Sequence, residues 1–166
     1  DKEKVVKVKK IYSNLNDALG RATAVYGPVE DWGSSQTKVG DRLTEFMKLS
    51  KNCKMTKGCY NKGSGNSSYY EFILSDGTSA YISPRGLGNF GVTFDIDGLN
   101  KGKNQAGYDI FEVVTTDGNF NIQYPDYEFG LLKHYLFECK YPEPAMQWVM
   151  AFDNMDYLKV DSSGKC

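Results

Sequence analysis

Between Val5 and Val25 the apolar residues Val5, Val8, Ile11, Leu15, Leu19, Ala22 and Val25 recur at i, i+3, i+4 and i+7. That spacing lines one face of an α-helix. From Tyr69 onward the period drops to two, with Tyr70, Phe72 and Leu74 alternating with Tyr69, Glu71 and Ile73. This alternation is the mark of a strand with one covered face. A long amphipathic helix followed by strands of that kind predicts an α+β domain, the helix packed on an antiparallel sheet. Gly27-Pro28 ends the helix, because proline cannot continue it and disfavours helical geometry in the residue before it. The start carries no N-cap signal, and Val5, Val6 and Val8 lie at the extreme end. Two readings follow: a helix continuing a longer one, or an ordinary first helix with a frayed end.

Further along, a short helix is predicted from about Asp41 to Ser50, capped by Asp41 and burying Leu43, Phe46, Met47 and Leu49. Residues Lys62 to Ser68 read as a polar loop. The sheet is predicted to have about four or five strands. Asp76-Gly77 and Asp117-Gly118 supply hairpin turns between strand-like runs. The runs are 69–74, 79–83, 90–96, 109–115 and 120–124, and a helix is expected from Pro144 to Phe152. One domain, 1–166, accounts for all of this: helix 1–26, helix and loop region 27–68, sheet 69–124 and a closed C-terminal region 125–166. There is no internal repeat and no linker.

Composition narrows the partners. Twenty Lys and Arg against 21 Asp and Glu leave a net charge of −1, without the basic excess of a nucleic-acid clamp. No apolar run approaches the roughly 18–20 residues of a membrane helix. Asp1-Lys2-Glu3-Lys4 is not the apolar opening of a secretory leader. The expectation is a soluble chain with no nucleic-acid partner. Catalysis has no positive signal either: Gly86-Leu87-Gly88 lacks the ending of a phosphate loop, and no G-x-S-x-G elbow occurs. His134, the single histidine, sits in an apolar segment where packing explains it. The chain is therefore expected not to be an enzyme.

Cys53, Cys59, Cys139 and Cys166 allow three disulfide connectivities, and the sequence alone does not choose among them. The favoured pairing is Cys53 with Cys59, across a short flexible segment, and Cys139 with Cys166, stapling the tail to the body. Zinc is the competing reading, but no C-x-x-C pair exists and the one histidine lies five residues before Cys139. Disulfides imply an oxidising compartment.

The connector from Asp95 to Asp109 is the most particular local feature. Asp95, Asp97, Asn100, Asn104 and Asp109 offer oxygen ligands suited to calcium. The spacing departs from an EF-hand, with glycine at the fourth position and Ala106 where the bidentate Glu belongs. The alternative is a Gly- and Asn-rich loop held by side-chain-to-backbone turns.

Three segments carry a family likeness. Lys9-Lys10-Ile11-Tyr12-Ser13-Asn14-Leu15 through Ala24-Val25-Tyr26-Gly27 resembles the C-terminal half of a type IV pilin or pseudopilin helix. Phe94-Asp95-Ile96-Asp97-Gly98 with Asn104-Gln105-Ala106-Gly107-Tyr108-Asp109-Ile110-Phe111 is similar to a motif of bacterial prepilin-type proteins. So is the tail, Trp148-Val149-Met150-Ala151 followed by Asn154-Met155-Asp156-Tyr157-Leu158-Lys159. The resemblance implies a pilin-like fold and a subunit of a type IV pilus or type II secretion system, self-assembling into a homo- or hetero-polymeric filament. It also implies an apolar stem ahead of this domain, cleaved by a prepilin peptidase, anchored in the inner membrane before assembly and forming the filament core. Stem, cleavage site and stem glutamate are not in this sequence, so the expectation is a head without its stem. The family's C-terminal disulfide-bounded region corresponds to Cys139–Cys166. Bacterial cell surface or periplasm is the implied location. The alternative from another class is an extracellular binding module or adhesin, whose tyrosines and Lys62–Ser68 loop contact glycans or surfaces.

Overall fold

A computed structural model of the chain describes residues 2–60, 68–86, 88–120 and 141–159. Helix α1 runs Lys2–Tyr26 and buries Val5, Val8, Ile11, Leu15, Ala18, Leu19 and Ala22 along one stripe. Val25, expected on that stripe, is instead 62% exposed. The correction has a plain cause: Val25 lies in the last turn, and the chain leaves the helix at Gly27, whose φ of 84° suits glycine. The Gly27 N–H still donates to Thr23 O at 2.9 Å. A 3-10 turn, Val29–Trp32, then folds Trp32 into the core, and its indole N–H donates to Gly27 O at 2.9 Å.

Helix α2 spans Gln36–Thr44, capped by Ser35, whose hydroxyl accepts the Lys38 N–H at 3.3 Å. The expected helix from Asp41 to Ser50 is therefore displaced toward the N-terminus, and Asp41 is not its cap. Asp41 instead accepts a hydrogen bond from the Tyr70 hydroxyl at 2.7 Å. The helix cannot reach Ser50 because residues Leu49–Lys54 form strand β1, paired antiparallel to β2 in the register Leu49↔Leu74 and Asn52↔Phe72. This edge strand is bulged twice and mostly exposed, so it shows no alternation in sequence. Cys53, near the end of this strand, forms the disulfide with Cys59, with Cα atoms 5.9 Å apart.

Among the described residues the sheet is a six-stranded antiparallel meander, ordered β1-β2-β3-β4-β5-β6. Its remaining strands are β2 (Tyr70–Leu74), β3 (Ser79–Gly86), β4 (Asn89–Asp95), β5 (Ile110–Thr116) and β6 (Asn119–Phe120). Among the described residues, β1 is a strand not expected from the sequence. The Asp117-Gly118 turn has positive φ at both residues, 51° and 81°. That is the requirement of a two-residue hairpin whose twist matches its strands.

Register sorts the strand residues into two faces. Tyr70↔Ile82↔Val92↔Val113 and Phe72↔Ala80↔Phe94↔Phe111 form two rows that turn inward under α1. Glu71↔Tyr81↔Thr93↔Glu112 and Ser79↔Asp95↔Ile110 turn outward. Helix α3, Pro142–Phe152, begins on Pro at its first position and packs Ala145, Met146 and Val149 against β5 and α1. Its last residue gives way to Asp153 at φ 56°, which forms an ion pair with Lys9. Among the described residues no helix is long and apolar enough to cross a membrane. The expected Cys139–Cys166 bridge, His134, the loop residues 62–67 and the strand end 121–124 lie outside the described residues.

One glycine tests this packing. A Cβ on Gly40 of α2 would collide with the Tyr70 ring, so helix and sheet meet in direct contact at that point. Gly40→Ala is expected to destabilise by about 1–3 kcal/mol, although alanine is the better helix former. Urea denaturation measures it; a stabilised variant would show that α2 does not press on Tyr70.

Candidate functional site

The connector between β4 and β5 holds its shape through its own acidic side chains. Asp95 Oδ1 accepts the Asp97 N–H at 3.0 Å. Asp109 accepts the N–H groups of Asn104 and Gln105, one on each oxygen, at 2.8 and 2.7 Å. Asn100 and Asn104 adopt positive φ, 60° and 54°, a conformation asparagine tolerates better than most residues. Both are exposed on the rim. At Gly102 an added Cβ would collide with Asp97 Oδ2 and lie 2.7 Å from Asp109 Oδ2. Only glycine lets the two carboxylates approach the backbone this closely.

The loop is tied down by α1, by the tail and by one of its own lysines. Lys7 of α1 donates to Ile96 O at 2.6 Å, and the ammonium groups of Lys4 and Lys103 stand 3.7 and 4.1 Å from the Tyr108 ring centroid. From the tail, the buried Tyr157 hydroxyl donates to Gly107 O. Helix, loop and tail therefore converge on one end of the molecule.

Of the five residues expected from sequence to ligate calcium, Asp97 and Asp109 are brought together around Gly102. Asp95 shares their electrostatic environment. It is 1% exposed, and its carboxyl is pushed up to about 6, first by burial and then by the Asp109 charge, against the Asp97 N–H bond that lowers it. Among the described residues, however, no group of three or more His, Cys, Asp or Glu side chains is arranged so as to hold a metal ion. The side-chain-to-backbone turns are in place as that alternative requires.

The outward face of the sheet was not legible as a site. There Tyr60, Tyr69 and Tyr81 cluster, with ring centroids 4.6 Å apart for Tyr60–Tyr81 and 5.0 Å for Tyr69–Tyr81. Beside them Arg85 forms an ion pair with Glu112, whose Oε2 also accepts the Thr93 hydroxyl at 3.1 Å. Gly91 leaves room for that pair, since a Cβ there would come within 3.1 Å of Arg85 Nε and of Glu112 Oε2. Burial pushes the Glu143 carboxyl up, helped by Glu112 and opposed by Arg85. In the sequence the signals were tyrosine richness and a polar residue in each strand, and bringing those residues together needs the register. Elsewhere an open groove of about 730 Å³ lies between α2 and β1. Across it Lys54 pairs with Asp41 at 3.5 Å, and the Tyr26 hydroxyl donates to Glu45 at 2.6 Å.

Asp95 makes the stability of the fold depend on pH. Its folded carboxyl titrates above its ordinary value of 3.8, so the folded state holds the proton more tightly than the unfolded chain does. The resulting stabilisation is full below about 3.8 and is lost as pH rises through about 6. Asp95→Asn keeps an acceptor for the Asp97 N–H and removes the charge. It is expected to raise stability at pH 7 by about 1–2 kcal/mol and to change it little at pH 4. Thermal melts at the two pH values measure the difference; equal effects at both would show that Asp95 does not titrate in this range.

Scans of protein-family models, of curated proteins and of solved structures find no match to this chain.

Proposed function

We propose that this chain is the globular head of a structural subunit of a bacterial type IV pilus or type II secretion pseudopilus. On this reading it is not an enzyme. It assembles into a cell-surface filament through an apolar stem ahead of Asp1, after processing by a prepilin peptidase. The observation that carries the reading is α1, a 25-residue helix buried along one stripe from Val5 to Ala22 against an antiparallel meander. Its opposite side stays open, with Val6 65% exposed. The loop and tail motifs that carry the family resemblance meet at one end of that helix, through Lys7–Ile96 and Tyr157–Gly107. The residues encoded ahead of Asp1 test the proposal. An apolar stem of about 20 residues with a peptidase site supports it, and a removable secretory leader overturns it.

Calcium belongs to the same proposal, at Asp95, Asp97, Asn100, Asn104 and Asp109. Its support is the approach of Asp97 and Asp109 around Gly102, together with the Asp109 charge, which adds to burial in raising Asp95 and which a bound cation would offset. Calcium is expected to stabilise the folded state by about 2.7 kcal/mol at a hundredfold excess over the dissociation constant, so melting rises with millimolar calcium and falls with chelator. Asp97→Ala should remove the difference. Identical melts in calcium and chelator would leave a loop held by its backbone bonds alone.

A second reading, a surface module for glycans, is favoured by the partly exposed tyrosine cluster of Tyr60, Tyr69 and Tyr81. Glycan binding that Tyr81→Ala abolishes would support it, and binding unchanged by that variant would remove it.

A further inference from the structure

Glu71 lies on the outward face of β2 and is 1% exposed. Across the sheet its register neighbours Tyr81, Thr93 and Glu112 include no cation. On β1 its neighbour Lys54 is paired with Asp41. A buried carboxylate needs donors. Glu71 Oε1 finds them in three consecutive backbone N–H groups, Gly58, Cys59 and Tyr60, at 3.2, 3.0 and 3.0 Å. Ser79 adds a hydrogen bond from its hydroxyl to Cys59 O. The segment that supplies these amides is closed by the Cys53–Cys59 disulfide. It also passes through two positive-φ positions, Lys54 at 50° and Gly58 at 135°. Tyr60, the next residue after the bridge, lays its ring against Tyr81.

We propose that the Cys53–Cys59 disulfide is a redox-set clasp that holds residues 58–60 over Glu71 and keeps Tyr60 as a cover on the outward face of the sheet. Oxidised, the closed loop holds three amides on one carboxylate oxygen, an arrangement that an open segment with a positive-φ lysine would not hold against water. Reduced, residues 53–60 regain their freedom, and Glu71 and Tyr81 become accessible. Cys59 is fully buried and Cys53 only partly, so a dithiol reductant attacks the Cys53 sulfur. The S–S bond breaks, and its electron pair leaves on the Cys59 sulfur, which takes up a proton. The reductant's second thiol then displaces the Cys53 thiol and closes the reductant's own disulfide, so two electrons pass to the protein.

Amide hydrogen exchange on the Cys53→Ser, Cys59→Ser double variant tests the clasp without touching Cys139 or Cys166. Exchange at residues 58–60 is expected to accelerate at least about tenfold while the β3–β4 amides keep wild-type rates. Glu71→Gln, with the disulfide intact, is expected to accelerate the same three amides. Unchanged exchange at 58–60 in either variant overturns the proposal. So does acceleration across the whole sheet in the double variant, which would make the disulfide a staple of the entire fold.

Discussion

The burial of one helical stripe against two rows of strand residues organises the rest of the molecule. Val8, Ile11, Leu15, Ala18, Leu19 and Ala22 are at most 2% exposed, and they meet Phe72, Phe94, Phe111, Val92 and Val113 in one core. Apolar burial on this scale supplies the main favourable term in folding. It dictates that β2 to β5 present alternate residues inward. The other alternate residues are thereby sent to the opposite face, whatever their polarity.

That consequence explains the chemistry of the outward face. Glu71, Asp95 and Glu112 are forced there by the pleat, and the loop 53–60 lies over Glu71. Each then needs donors. Glu71 takes them from the disulfide loop, Asp95 from the Asp97 amide, and Glu112 from Arg85 and Thr93. Backbone amides serve two of the three, so loop conformation and buried charge depend on one another. The buried carboxylates are thus kept on the side of the sheet away from α1.

Local patterns told much of this in advance, where a single segment contains its own signal. The 3.6 period of α1, the alternation of β2, the two Asp-Gly turns and the short span between Cys53 and Cys59 all lie within a few residues. Strand β1 escaped because an exposed, bulged edge strand has no alternation to read, and its strand character comes from pairing with β2. The cap of α2 escaped because Asp41 and Ser35 are both good cap residues. In the fold Ser35 accepts the Lys38 N–H, and Asp41 lies within the helix, where it accepts the Tyr70 hydroxyl.

Sequence by itself determined the helix, most of the strands and the acidic, glycine-rich character of the 95–109 loop, because these follow from spacing and turn chemistry along one stretch of chain. Tertiary structure alone decided which polar residues share a face. Tyr60, Tyr69 and Tyr81, or Glu71 with the amides of 58–60, are brought together by strand register and loop closure. Register is set by burial of the inner rows across several strands at once, a sum over distant segments that no local window contains.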